Sequence, residues 1–133
     1  MQRSTIHSAP RAGTAGRVAA GLLLVVAGFQ AALAAGAPWG AAAFGGAHPG
    51  VLPARLRGTS AGAVVVYLLL AVVAGTQATG PTIRPRVLLG AAAGMGVGAL
   101  LNLASPSFIE RIIWTPVTIA LVAALGREAR RTV

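Results

Sequence analysis

His48, Glu110, Arg55 and Arg57 are the residues whose chemistry this chain could bring to bear at one place. An imidazole near a carboxylate is a general acid–base pair, and two guanidiniums can hold an anionic oxygen on a lipid or envelope substrate. The setting does not support catalysis. His48 precedes Pro49 and has no carboxylate placed to orient it. There is no Gly-x-Ser-x-Gly elbow, no phosphate loop and no carboxylate pair. The other histidine, His7, lies at the opposite end of the pattern described below, so a metal site would lack companions for His48. The chain has 0 Cys, which removes thiolate chemistry and disulfides. No catalytic, cofactor-binding or metal-ligating residue is therefore assigned. Glu110 is expected to cap a helix or to pair with Arg55 or Arg57.

These residues must be positioned by elements that the composition describes more clearly. Hydrophobic residues make up 56% of the chain and charged residues 10%, and the mean hydropathy is +0.77. Soluble domains carry about 25% charged residues. A chain this apolar would aggregate in water, and a bilayer resolves the conflict by being its solvent. The net charge is +9, from 11 Arg and Lys against 2 acids, Glu110 and Glu128. The arginines stand between apolar runs and near the termini rather than on one polar face. That is the pattern of membrane flanks meeting anionic head groups, and nucleic acid is not an expected partner.

Four apolar runs predict four transmembrane helices, at about 18–37, 61–78, 87–104 and 108–126. A run of ~20 residues spans ~30 Å, the thickness of a hydrocarbon core. Residues 1–17 read as a disordered basic tail and 127–133 as a second basic tail. Pro38 should end the first helix. The Pro- and Gly-rich stretch 38–58 should form a long loop, with Thr59 or Ser60 capping the second helix. Gly80-Pro81 and Arg84-Pro85-Arg86 read as a short basic loop. Ser105-Pro106 fits a cap followed by proline at the first helical position, whereas Ser107 with Glu110 fits a capping box two residues later. Pro116 should kink the fourth helix by removing a bond to the Ile112 carbonyl.

Gly90, Gly94 and Gly98 recur every four residues on one face of the third helix, and Asn102 continues the row. In lipid, such a row lets helices approach closely. It is read here either as packing within a bundle with the third helix central, or as a seam to another chain. Gln30 is the most deeply placed strongly polar residue and is expected to make an interhelical hydrogen bond or to line a pathway, with Asn102 as a second polar group. Small multidrug-resistance transporters share the four-helix size but rely on a membrane-embedded Glu in the first helix. This chain has Gln30 there, and that likeness fails at its diagnostic position.

With four spans, the tails and the second connection share one side. That side holds eight arginines (3, 11, 17, 84, 86, 127, 130, 131), and the other holds three (55, 57, 111). The positive-inside rule then makes both termini cytoplasmic, and Trp39 and Trp114 both fall at the outer interface. A rival reading takes Ala32-Leu33-Ala34 as a signal-peptide cleavage site, leaving three spans.

The stretches Gly36-Ala37-Pro38-Trp39-Gly40, Phe44-Gly45-Gly46, Leu52-Pro53, Leu56-Arg57, Asn102-Leu103-Ala104-Ser105, Glu110-Arg111 and Trp114-Thr115-Pro116 carry a resemblance. Together they resemble an uncharacterised family of small four-helix integral membrane proteins of GC-rich bacteria. The resemblance covers roughly residues 18–126. It implies a retained first helix and no activity, and it points to the outer loop and outer helix ends.

The expectation is an all-α membrane protein, a four-helix transmembrane bundle in the bacterial cell membrane with its termini cytoplasmic. It would be a non-enzymatic accessory or structural subunit, or alternatively the protomer of a small oligomeric transporter or channel. Its expected partners are the lipid bilayer and a second copy or another membrane protein. Reporter fusions at Gly50 and Ser107 should read outside, and those at Arg17, Ile83 and Val133 inside, with an intact N-terminus on sequencing. Cleavage near Ala34 would favour the three-span reading.

Overall fold

The computed structural model describes residues 11–131. These residues form four long helices with no strand: α1 (Thr14–Ala35), α2 (Ala54–Gly75), α3 (Gly80–Leu103) and α4 (Thr115–Arg131), the last preceded by a π-helical segment, Glu110–Trp114. Counting the π segment with α4, all four are long and apolar enough to cross a membrane. Of the expected tail, 1–17, residues 1–10 lie outside the described residues, and Thr14 to Arg17 belong to α1, which starts four residues earlier than expected.

Several expected boundaries are corrected. α1 ends at Ala35, before Pro38, because Gly36 adopts the left-handed conformation (φ 101°) and turns the chain. α2 begins at Ala54, inside the stretch expected to be loop, with Pro53 at the cap position and no side-chain cap from Thr59 or Ser60. Gly80-Pro81 does not form a loop but opens α3, and Arg84-Pro85-Arg86 lies within that helix. Pro81, in the first turn, removes an N–H that has no helical partner and so starts the helix, whereas Pro85 lies one turn further in and forgoes a bond to the Pro81 carbonyl without ending it. α4 continues through Glu128 to Arg131, where a tail was expected.

Consecutive helices run antiparallel. α1 packs along α2 and also against α4, while α3 packs along α4 and only sparsely on α2. The third helix is therefore peripheral, not central. Only 6% of its most apolar stretch is buried, against 28%, 22% and 39% for the other three. The core holds Leu23, Leu88, Leu121 and Leu125, all fully buried, around Ala19 and Ala74.

One end of the bundle, where α1 starts and α4 finishes, is tied by charges. Arg84 and Glu128 are both 0% exposed and approach within 3.0 Å. The Arg84 Nε donates to the carbonyls of Val73 and Thr76, both at 2.9 Å, and Nη2 to that of Ala74 at 2.7 Å. These are orphan acceptors at the α2 C-terminus. Glu128 accepts the N–H groups of Gly13 (3.0 Å) and Gly16 (3.1 Å) at the α1 N-terminus, where a carboxylate also suits the helix dipole. Arg131 holds the same carboxylate with two further bonds, at 3.2 and 2.7 Å. Gly16 is needed for close approach: a Cβ there would lie 2.5 Å from the Ala74 carbonyl oxygen and 2.8 Å from Glu128 Cδ.

Breaking a buried pair from one side strands the other charge and costs about 3–5 kcal/mol. Arg84→Met and Glu128→Gln should each destabilise the detergent-solubilised protein by an amount of that order. In thermal unfolding the double variant should lose clearly less than the sum of the two. Strict additivity would show that the pair is not coupled.

Candidate functional site

The opposite end of the bundle is covered by the connection between α1 and α2. It contains two single 3-10 turns, Gly40–Ala42 and Phe44–Gly46. The connection closes on itself where the Gly40 N–H donates to the Gly50 carbonyl at 2.8 Å. Gly40 fits because any Cβ there would collide with the His48 carbonyl. Leu33, Ala43 and Leu52 form a small core beneath it, with Phe29 and Leu56 alongside.

Three side chains before and within the fourth helix fasten this cover. The Ser107 hydroxyl donates to the Ala41 carbonyl at 2.7 Å. The Trp114 indole N–H donates to the Ala42 carbonyl at 3.0 Å. The Glu110 carboxylate accepts the Gly45 N–H at 3.3 Å and the Ser105 hydroxyl. Of the two expected helix starts, the Ser107 one is realised: its oxygen accepts the Glu110 N–H at 3.3 Å. The Glu110 side chain does not complete the capping box, because it has turned to the cover. Both ion pairs among the described residues use Glu128, so the expected pairing of Glu110 with Arg55 or Arg57 is not formed. Arg57 instead donates to the Ala34 carbonyl at 3.1 Å and caps α1, while Arg55 is exposed.

Pro116 accounts for the irregular start of the fourth helix. It cannot donate to the Ile112 carbonyl, and the turn just before it is π-helical. The wider turn carries both Glu110 and Trp114. Trp114 reaches Phe29 with ring centroids 4.6 Å apart, and Phe29 stacks on Trp39 at 6.1 Å. The two tryptophans thus meet the same α1 residue at the same end of the bundle, as expected.

Beneath the cover lies a cavity of about 120 Å³, walled by all four helices and by the cover. Phe29, Gln30, Tyr67, Asn102, Glu110 and Trp114 contribute to its lining. Of the residues singled out by sequence, Gln30, Asn102 and Glu110 are brought together here. His48, Arg55 and Arg57 are not part of the lining, so the expected outer polar cluster is divided. The Nδ1 atom of His48 is buried and unpartnered, and no metal-ligating group of residues occurs among the described residues. Gln30 Oε1 is also buried without a hydrogen-bond partner, which corrects the expected interhelical bond.

The glycine row is only partly used for packing inside this bundle. Gly90 and Gly94 are exposed, and a Cβ at either would meet nothing within 4 Å. At Gly98 a Cβ would reach Thr118 Cγ2 at an ordinary 3.9 Å. The bundle packs through the other side of α3, by Leu88, Ala91, Ala92 and Met95. A close small-residue contact between helices lies elsewhere, where Gly16 and Ala20 of α1 meet Ala74 and Gly75 of α2.

Sequence reasoning missed Tyr67, Arg84 and Glu128. Tyr67 had a signal, as the single tyrosine and in the middle of an apolar run. Arg84 and Glu128 were hidden by boundaries drawn too short at the start of α3 and the end of α4.

No protein-family model, curated protein or solved structure matches this chain.

Proposed function

We propose that this protein is a non-enzymatic multi-pass protein of the bacterial cell membrane, with both termini cytoplasmic, that works by association as an accessory or structural subunit. The observation that carries this reading is the open face of α3. Gly90, Gly94 and the neighbouring Ala93 and Val97 are exposed there. The fold makes no use of the two glycines. Bilayer helices associate through such small-residue faces because close backbone approach gives dispersion contacts that lipid does not match. The arginine distribution supports the orientation, with eight on the side of the termini and three on the other.

The open face supplies a clean test. Gly94→Leu adds a side chain where the bundle has space, so folding should be unchanged. Association with a second copy or with a membrane partner should fall at least tenfold, measured by energy transfer in vesicles and by co-purification. Unchanged association would leave the reading without its main support.

A second reading, a protomer of a small oligomeric transporter or channel, is favoured by one observation. The cavity gathers Gln30 and Asn102 from α1 and α3. Below it the bundle is sealed by Leu23, Leu88, Leu121 and Leu125, so a pathway through a single bundle would have to displace them. The chain has no native cysteine, and Gln30→Cys can therefore be probed directly. A transport pathway requires reaction with a water-soluble thiol reagent in intact membranes; complete protection would eliminate this reading.

A further inference from the structure

The cavity beneath the α1–α2 connection contains hydrogen-bonding capacity that the protein leaves unused. Its wall includes three neutral polar side chains, Gln30, Tyr67 and Asn102, from three different helices. The other polar groups nearby are engaged. Thr118 Oγ1 lies 2.8 Å from the Trp114 carbonyl and 3.0 Å from the Thr115 carbonyl, to which its hydroxyl can donate. The Trp114 N–H is bound to Ala42. The Glu110 carboxylate is bound by Gly45 and Ser105. Gln30 Oε1, in contrast, is buried and without a partner. A buried acceptor left unsatisfied costs about 1–3 kcal/mol, and in a bilayer no bulk water relieves it.

The remaining wall is apolar and aromatic. Phe29 and Trp114 supply ring surfaces, and Val26, Met95 and Leu121 lie toward the middle of the bundle. The cavity thus combines flat apolar surface with a neutral amide. Its volume of about 120 Å³ sets the scale of a guest. An apolar cavity of ~150 Å³ accommodates benzene, whereas drug-sized ligands need about 300–1,000 Å³.

We propose that this cavity is a binding site for a small neutral molecule, no larger than a single ring, that carries a hydroxyl group. The hydroxyl donates to Gln30 Oε1 and the apolar body lies against Phe29 and Trp114. A charged guest would find no free counter-charge, because the one carboxylate on the wall is committed to the cover. A hydrocarbon guest would leave the Gln30 acceptor unpaired, so the site should reject it. This site is independent of the association face on α3.

The test uses phenol and benzene with the full chain in detergent. Trp39→Phe preserves an aromatic partner for Phe29 and leaves Trp114 as the single tryptophan, whose emission reports occupancy. Phenol should quench it saturably and bind at least tenfold more tightly than benzene, although benzene is the smaller molecule. The near-isosteric Gln30→Met should abolish or reverse that preference. Asn102→Leu, which removes the second neutral amide from the cavity wall, should weaken phenol binding while the protein stays folded. Linear, unsaturable quenching by both compounds would show detergent partitioning into a site that holds only water, and would overturn the proposal. So would a phenol preference that survives both substitutions.

Discussion

The Arg84–Glu128 pair is the constraint on which the rest of the bundle depends. Helices in lipid gain little from hydrophobic association, since the lipid tails are as apolar as their side chains. Their ends also carry backbone groups that the helix cannot satisfy. Here one ion pair addresses both problems. Its guanidinium takes the carbonyls at the end of α2, and its carboxylate takes the amides at the start of α1. The two charged residues themselves belong to α3 and α4. Four helix ends are thereby held in one register, and each charge faces the helix pole that favours it. Gly16 and Ala20 let α1 approach α2 closely enough for the arrangement to close.

The two ends of the molecule are consequently unlike. At the charged end the Arg84–Glu128 pair is fully buried and bonded to backbone groups of two further helices. The other end is held by single hydrogen bonds: Ser107 and Trp114 donate to backbone carbonyls of a glycine-rich connection, and Glu110 accepts one of its N–H groups. The cavity lies beneath that connection, where the π-helical turn before Pro116 widens the fourth helix. Irregular backbone is tolerated at membrane depth where it adjoins a cavity, and Glu110 and Trp114 of this turn line one. Two buried atoms without a hydrogen-bond partner, Gln30 Oε1 and His48 Nδ1, lie at this end.

The architecture was legible in the sequence because apolar runs of membrane length leave few alternatives. The Ser107 start, the tryptophans at one end and the irregular turn near Pro116 were legible too, since each follows from local chemistry. Helix boundaries were less legible, because proline marks a helix start as well as a break: Pro53 and Pro81 open helices and Pro85 lies near a helix start. Read as breaks, they shorten α2 and α3 and leave Arg84 in a supposed loop. Glu128 was likewise assigned to a tail. Neither residue signals burial alone, because its partner is a full hairpin away in the chain. The glycine row gave the opposite error: its spacing was real, but spacing does not say which side of a helix meets its neighbours. Gln30 and Asn102 were recognisable as polar residues in apolar runs. Their meeting at one cavity with Tyr67 depends on helix rotation, which hydropathy does not encode.

The separation of Arg84 and Glu128 along the chain also bears on biogenesis. α1, α2 and the start of α3 leave the ribosome before the residues that complete the charged end. Until Glu128 arrives, the α1 amides lack their acceptor and Arg84 has carbonyls but no counter-charge. Three helices are therefore synthesised before the charged end can close. The fourth helix supplies the carboxylate that completes it, so the last span in the chain rather than the first joins all four helix ends.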